Sequence, residues 1–476
     1  MDRLNPLDSL FLHVEDGVTH MHIASCAIFE RPPPPYQELV DLIASKLPLL
    51  PRYRQKLRFV PGQLGRPVWV DDPHFNLSYH VRHSALPPPG GEAELNNLMG
   101  RLMSVELDRH RPLWEVWLIE GLTGGRWALI SKVHHCMVDG ISGTDLMVLT
   151  LDPSRHPDPP PPAETWAPKP EPSDAMLTVG AVVDLLRTPA EQLRAARALL
   201  RTPRKTINAF VDVANGGLAL SRELRPATSL SIEGAIGPHR RWAFARTTLD
   251  ELKEIRGALG GTVNDVILSV ITSAFRDLLV ARGDPVDDVV VRSLVPVSVR
   301  AAGDRTQNNQ VAAMIAELPV GIADPVERLD AIRQHMTTLK ASHEADASDA
   351  LNSLAKFTPP MLYALGLRSA TVAVRRVPQR NVNTVTTNVP GPPVPLYALG
   401  RELLEYLPFV PLSQGVRIGV AILSYNGGVR FGVTGDYDTM PEVEWFCQRI
   451  EAAVAELVAR AGGTAHEGVA ADARVG

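Results

Sequence analysis

The sequence predicts a mixed α/β protein (α+β in its mixed sheets) built as two lobes, and three observations carry that reading. The chain has 476 residues, enough for two domains that each bury their own core. Strand and helix patterns alternate both before residue 152 and after Trp242. Between them, residues 152–172 are crowded with proline, including Pro159-Pro160-Pro161-Pro162, and read as an extended, exposed linker.

Residues 1–151 form the first lobe in this reading, with a strand at 21–29, a helix at 36–46 and a strand at 114–120. Residues 127–133 read as a mostly buried strand, and a helix opens from Ser142. Residues 152–240 are linker and connector, 241–462 a second lobe, and 463–476 a small, polar, disordered tail. Within the second lobe a short helix spans 251–259, and Thr262 opens a longer one that ends near Gly283. A strand follows at 289–299. Asp324-Pro325-Val326-Glu327 is a helix start, with a capping side chain, proline at the first position and an acid behind it. Residues 416–425 and 429–436 read as a hairpin around Asn426-Gly427-Gly428, and a helix from 441 to about 461 closes the fold.

Composition narrows the function. Lysine and arginine number 48 against 53 acids, which gives no reason to expect nucleic-acid binding. Cys26, Cys136 and Cys447 are too few and too scattered for a disulfide framework or a zinc cluster, and point to a reducing cytoplasm. Asp2, Pro6 and Asp8 precede any apolar run, so no signal peptide is expected. No apolar stretch approaches the roughly 18 residues that span a bilayer. In the connector, Arg187, Arg194, Arg197, Arg201, Arg204 and Lys205 are interleaved with leucines. That basic amphipathic pattern over 175–224 either lies on an anionic lipid surface or bridges the lobes with a solvated cationic face.

The chemistry concentrates in His134-His135-Cys136-Met137-Val138-Asp139-Gly140, an HHxxxDG box where a strand gives way to a helix. Neighbouring strand side chains point to opposite faces, so His134 and His135 cannot share one task. One faces a cavity and the other packs or hydrogen-bonds within its own lobe. The same spacing argues against a metal pair, since zinc-binding helices place histidines in HExxH. His135 is the candidate general base, with an ordinary imidazole pKa of about 6.5 that suits proton abstraction near neutrality. His134 supports it, Asp139 holds the loop, and Gly140 gives the backbone freedom to turn.

The box resembles that of the CoA-dependent acyltransferase superfamily of chloramphenicol acetyltransferases and condensation domains. Within it, the chain is most similar to the bacterial wax ester synthase/diacylglycerol acyltransferase family. Arg111-Pro112-Leu113-Trp114-Glu115 resembles that family's PLW element, and Thr262-Val263-Asn264-Asp265-Val266 its Asn-Asp element. Val295-Pro296-Val297-Ser298-Val299-Arg300 and Asn388-Val389-Pro390-Gly391-Pro392 resemble further landmarks, and the opening from Leu4 to Ile23 resembles its N-terminus. The matches occur in the family's order along nearly the whole chain.

The resemblance implies two chloramphenicol acetyltransferase-like lobes, each a mixed sheet flanked by helices, with an active-site tunnel between them. It implies transfer of an acyl group from long-chain acyl-CoA to diacylglycerol or a fatty alcohol, with acyl-CoA as co-substrate and no cofactor or metal. Peripheral contact with the inner membrane or a lipid droplet is the localisation it implies. It also matches Arg300 to the superfamily arginine that pairs with the box aspartate; an Asp139–Arg300 bridge would clamp the catalytic loop against the second lobe. Asn264 either hydrogen-bonds a substrate carbonyl or only starts a helix, where Asp265 completes a capping box with Thr262. Thr386 and Asn388 either face the tunnel or close a turn, and Pro112, Leu113 and Trp114 either line the acyl channel or pack in the core. Three functions stay open at this point: triacylglycerol or wax ester synthesis, acyl transfer to another hydroxyl or amine as in condensation or polyketide-esterifying enzymes, and a catalytically silent lipid-binding role. No GxSxG elbow is present, so no acyl-enzyme hydrolase is expected.

Overall fold

The structure is a computed structural model that describes residues 2–137, 146–157, 166–183, 229–298, 311–341 and 382–472. In chain order, the first half contributes β1 (His22–Phe29), β2 (Gln55–Arg58), β3 (Val68–Asp71), β4 (Val81–Ala85), β5 (Trp114–Leu122) and β6 (Arg126–His134). The second half contributes β7 (Glu233–Gly234), β8 (Arg240–Thr248), β9 (Val291–Ser298), β10 (Val311–Leu318) and β11 (Thr384–Pro390). It ends with β12 (Tyr397–Ala398), β13 (Arg401–Phe409), β14 (Gly415–Val416), β15 (Ile418–Tyr425) and β16 (Gly428–Asp436).

Two six-stranded sheets organise the fold. The first runs β12-β13-β1-β6-β5-β4 and the second β10-β9-β11-β15-β16-β8. Both are mixed: β4 lies parallel to β5, and β11 lies parallel to β9 and β15, while the other described pairs are antiparallel. The first sheet is not made by the first half of the chain alone. β13 pairs with β1, Ala24 opposite Phe409, so residues beyond Pro390 complete it.

Local sequence explains most elements. The helix Tyr36–Lys46 buries Leu39 and Ile43, which lie on one face at four-residue spacing. Thr262 and Gly283 cap the two ends of the helix Val263–Arg282, the glycine in the left-handed region at φ 77. Asp324 Oδ1 accepts hydrogen bonds from the amides of Val326 (2.9 Å) and Glu327 (3.1 Å), opening Pro325–Ala341. The β15–β16 hairpin turns on Asn426 (φ 44) and Gly427 (φ 80), the two positive angles that a tight hairpin turn demands. The closing helix, Val443–Asp472, runs past Gly462, where composition suggested a disordered tail. Propagation onto a formed helix gains one backbone hydrogen bond per residue without a new nucleus, so small residues follow at low cost.

The core of the second lobe is the face of its sheet covered by Val263–Arg282 and Val443–Asp472, with Phe275 and Phe446 meeting edge to face at 4.9 Å. The first lobe buries Phe29, Tyr53, Trp114 and Trp127 on one face of its sheet. Its other face carries Cys26, Ile130 and Met99 and takes Trp242 and Phe244 from β8, so the two lobes share an apolar seam. Trp242 Nε1 donates to Pro408 O at 3.1 Å across that seam. Gly432 lies against the same carbonyl: a Cβ there would come within 1.8 Å of Pro408 O, so only glycine lets β16 and β13 approach. Among the described residues no single helix is long and apolar enough to cross a membrane.

Candidate active site

β6 ends at His134, and His135 begins the short 3-10 turn His135–Met137 that follows. The box is therefore held by β1 on one side and β5 on the other. His134 N–H donates to Leu113 O at 2.9 Å, and His135 N–H donates to Met21 O at 2.9 Å. The PLW element thus supports the box through its backbone.

The two histidines divide. His134 turns into its own lobe, 1 % exposed. Its Nδ1 accepts the Cys136 N–H at 3.1 Å, so the ring proton sits on Nε2, which donates to Glu15 Oε2 at 3.3 Å. Arg109 Nε donates to the same carboxylate oxygen at 3.1 Å. Burial alone would raise the Glu15 pKa, but the hydrogen bonds from His134 and Arg109 and the charge of Arg109 outweigh it and bring the carboxyl down to about 2.

His135 is partly exposed, and its ring stacks on Phe11 with centroids 3.8 Å apart and planes 25° apart. Its Nδ1 is buried with no hydrogen-bond partner among the described residues. Burial pushes the imidazole pKa from 6.5 down to about 4. The ring is therefore neutral across the physiological range, as a proton acceptor must be. Cys136 is buried in the first-lobe core, and that burial pushes its thiol pKa well up, which disarms it as a nucleophile.

Asn264 and Asn388 come together from the second lobe. Asn388 Nδ2, on β11, donates to Asn264 Oδ1 at 3.2 Å, in the first turn of Val263–Arg282. Asp265 closes the capping box: its Oδ2 accepts the Thr262 N–H and hydroxyl, both at 2.8 Å. Thr386 is buried, its hydroxyl bonded to that of Ser293 at 2.8 Å, which occupies it inside the sheet. Pro112, Leu113 and Trp114 are buried; the Trp114 indole N–H donates to Tyr53 O at 2.8 Å. His135 and the asparagine pair share no hydrogen bond or ring contact among the described residues. Asp139, Gly140 and Arg300, with the bridge expected between Asp139 and Arg300, lie outside the described residues, as does most of the 175–224 connector.

Phe11, Glu15 and Arg109 were not found by reading the sequence. The nearest signal was an acid directly behind the apolar helix Pro6–Val14, in the N-terminal stretch already marked by the family resemblance. No spacing rule ties residue 15 to residue 134. Among the described residues no group of three or more His, Cys, Asp or Glu side chains is placed to hold a metal.

Comparison with known proteins matches this organisation. Residues 4–267 match the wax ester synthase/diacylglycerol acyltransferase catalytic domain, and residues 307–458 match the C-terminal domain of the same family. A Mycobacterium tuberculosis protein named "Probable diacylglycerol O-acyltransferase tgs1" is 37% identical over 470 residues, covering 96% of each chain. A second from that organism, tgs2, is 29% identical over 476 residues, covering 96% of this chain and 99% of its own. The solved wax ester synthase/diacylglycerol acyltransferase from Marinobacter aquaeolei VT8 superposes with a TM-score of 0.68 at 27% identity, over 97% of this chain and 100% of that one. The starter condensation domain of rhizomide synthetase shares the fold, with a TM-score of 0.56 at 14% identity over 97% of this chain and 94% of that one. The chain belongs to the wax ester synthase/diacylglycerol acyltransferase family.

Proposed function

We propose that the protein is an acyl-CoA-dependent O-acyltransferase that makes triacylglycerol from diacylglycerol, and wax esters from long-chain alcohols. The observation that carries the mechanism is His135, a neutral imidazole at a strand end whose pKa burial holds near 4. An acyl-CoA thioester and the acceptor hydroxyl meet in the passage between the lobes. His135 takes the hydroxyl proton as the oxygen attacks the thioester carbonyl. The tetrahedral oxyanion collapses, the carbon–sulfur bond breaks, and the proton passes to the departing CoA thiolate. Ester and free CoA are the products, with no covalent enzyme intermediate. The Asn264 amide, oriented by Asn388, supports the reading of that residue as an oxyanion donor.

A lipid acceptor implies work at a lipid surface. The helix Asp174–Val183 packs Leu177 and Ala181 against Val60, Val68 and Val70 of the first lobe. On its other side Met176 is 57% and Val179 61% exposed, an apolar stripe directly ahead of the basic connector. The test is incubation with radiolabelled palmitoyl-CoA and a panel of acceptors in anionic vesicles, followed by lipid separation. Label is expected in triacylglycerol and wax ester, and an M176S/V179S variant is expected to lose vesicle binding. Label that moves only to amines or carrier-bound acceptors contradicts the function; unchanged vesicle binding contradicts the surface.

A further inference from the structure

We infer that Glu15 is a positioning residue for His135, acting through both of its carboxylate oxygens. The inference rests on the reading of His135 as the base. Glu15 Oε2 accepts the proton of His134 Nε2 at 3.3 Å, and His134 Nδ1 in turn holds the Cys136 N–H at 3.1 Å. Glu15 Oε1 accepts the Met21 N–H at 3.2 Å, and the Met21 carbonyl holds the His135 N–H at 2.9 Å. The backbone on each side of His135 is therefore fixed by a chain of two hydrogen bonds that starts on one carboxylate.

The same N-terminal segment fixes the ring. Phe11, one turn before Glu15, stacks on His135 at 3.8 Å, and the Glu15 N–H donates to Phe11 O at 3.2 Å. Arg109 ties Glu15 down from outside, through Nε at 3.1 Å, and also donates to Leu12 O at 3.3 Å. The carboxyl is 6% exposed and held ionised by these partners, with a pKa near 2. One anion thus sets the His134 tautomer, which sets the Cys136 amide, and separately seats the Met21 peptide that carries His135. Displacement of the imidazole by a fraction of an ångström leaves the acyl-CoA site intact and spoils only the proton transfer.

The prediction is a split between kcat and KM. Glu15→Gln keeps the shape but has only one acceptor oxygen for the donors on His134, Arg109 and Met21, and its kcat is expected to fall about 100-fold. KM for palmitoyl-CoA is expected to stay within about twofold, because no bound group is lost. Glu15→Asp keeps the charge against Arg109 but is too short to span both donors, so it shows the same loss and decides the matter should the Gln variant not fold. His135→Ala is measured beside them. If His135→Ala is inactive while a folded Glu15 variant keeps kcat within about threefold of wild type, only the positioning inference is overturned. If His135→Ala retains full turnover, the base assignment fails and the inference fails with it. A Glu15 loss that appears in KM with kcat unchanged also overturns it, since that places the residue in substrate binding.

Discussion

Replacing His135 with alanine is expected to lower acyl transfer about 1,000-fold while leaving the protein folded, the size of effect that loss of a general base produces. The residue is partly exposed as a whole, and its ring stacks on Phe11. Its backbone amide keeps the bond to Met21 O, so the turn keeps its course. Residual activity reflects the placement of the two substrates and whatever donors face the oxyanion. His134→Ala is a different experiment: it removes one of the donors to the buried Glu15 carboxylate, leaving Arg109 and the Met21 N–H, so it lowers stability as well as rate. Circular dichroism and single-turnover transfer from palmitoyl-CoA separate the two. Equal turnover in wild type and His135→Ala would remove the residue from the mechanism.

The second large effect is on stability. Trp114→Ala is expected to cost about 3–5 kcal/mol, the range seen when a buried tryptophan is truncated. Trp114 is fully buried, stacks on His80 at 4.6 Å and meets Tyr53 edge to face at 5.4 Å. Its indole N–H satisfies Tyr53 O at 2.8 Å, and its own carbonyl accepts from His80 Nδ1 at 2.8 Å. Alanine leaves a cavity and takes away the indole donor to the Tyr53 carbonyl. Urea denaturation checks it: the midpoint should fall with little change in slope. An unchanged midpoint would mean that the PLW element is not part of the first-lobe core. Because Leu113 O holds His134 N–H, the damage lies next to the turn that carries His135, and activity per folded molecule reports whether the support is local.

Local features were legible in the sequence because local physics writes them. The Asn426-Gly427 turn, the Thr262–Asp265 capping box, the Asp324 start and the helix Tyr36–Lys46 are set within a few residues of themselves. The division of His134 from His135 is what strand alternation leads one to expect, although β6 ends at His134 and His135 opens the 3-10 turn. What depended on distant partners was not legible. Nothing in residues 401–409 says that β13 leaves its own half of the chain to pair with β1, since its burial is met equally by either sheet. The sequence leaves Thr386 open between facing the tunnel and closing a turn, and only the neighbouring strand supplies Ser293 as its hydroxyl's partner. Glu15 and Arg109 each look like surface charges. Only the folded chain places them 94 residues apart in sequence yet in contact, beneath the histidine box.

The most direct test of the central claim is the pH dependence of kcat/KM, which reports the free enzyme. A base works when neutral, and an imidazole is neutral above its pKa, so the acid limb falls where His135 protonates. The structure places that near pH 4 rather than at the ordinary 6.5. His80, whose pKa burial also lowers to about 4, makes the fold itself lose stability as pH drops from 6.5 toward 4, because the unfolded chain binds that proton first. Brief pH-jump assays that finish before acid unfolding keep the two effects apart. The account predicts a flat profile down to about pH 5 and a one-proton fall centred near 4, absent from the residual activity of His135→Ala. A limb centred at 6.5, or the same limb surviving in His135→Ala, would contradict it.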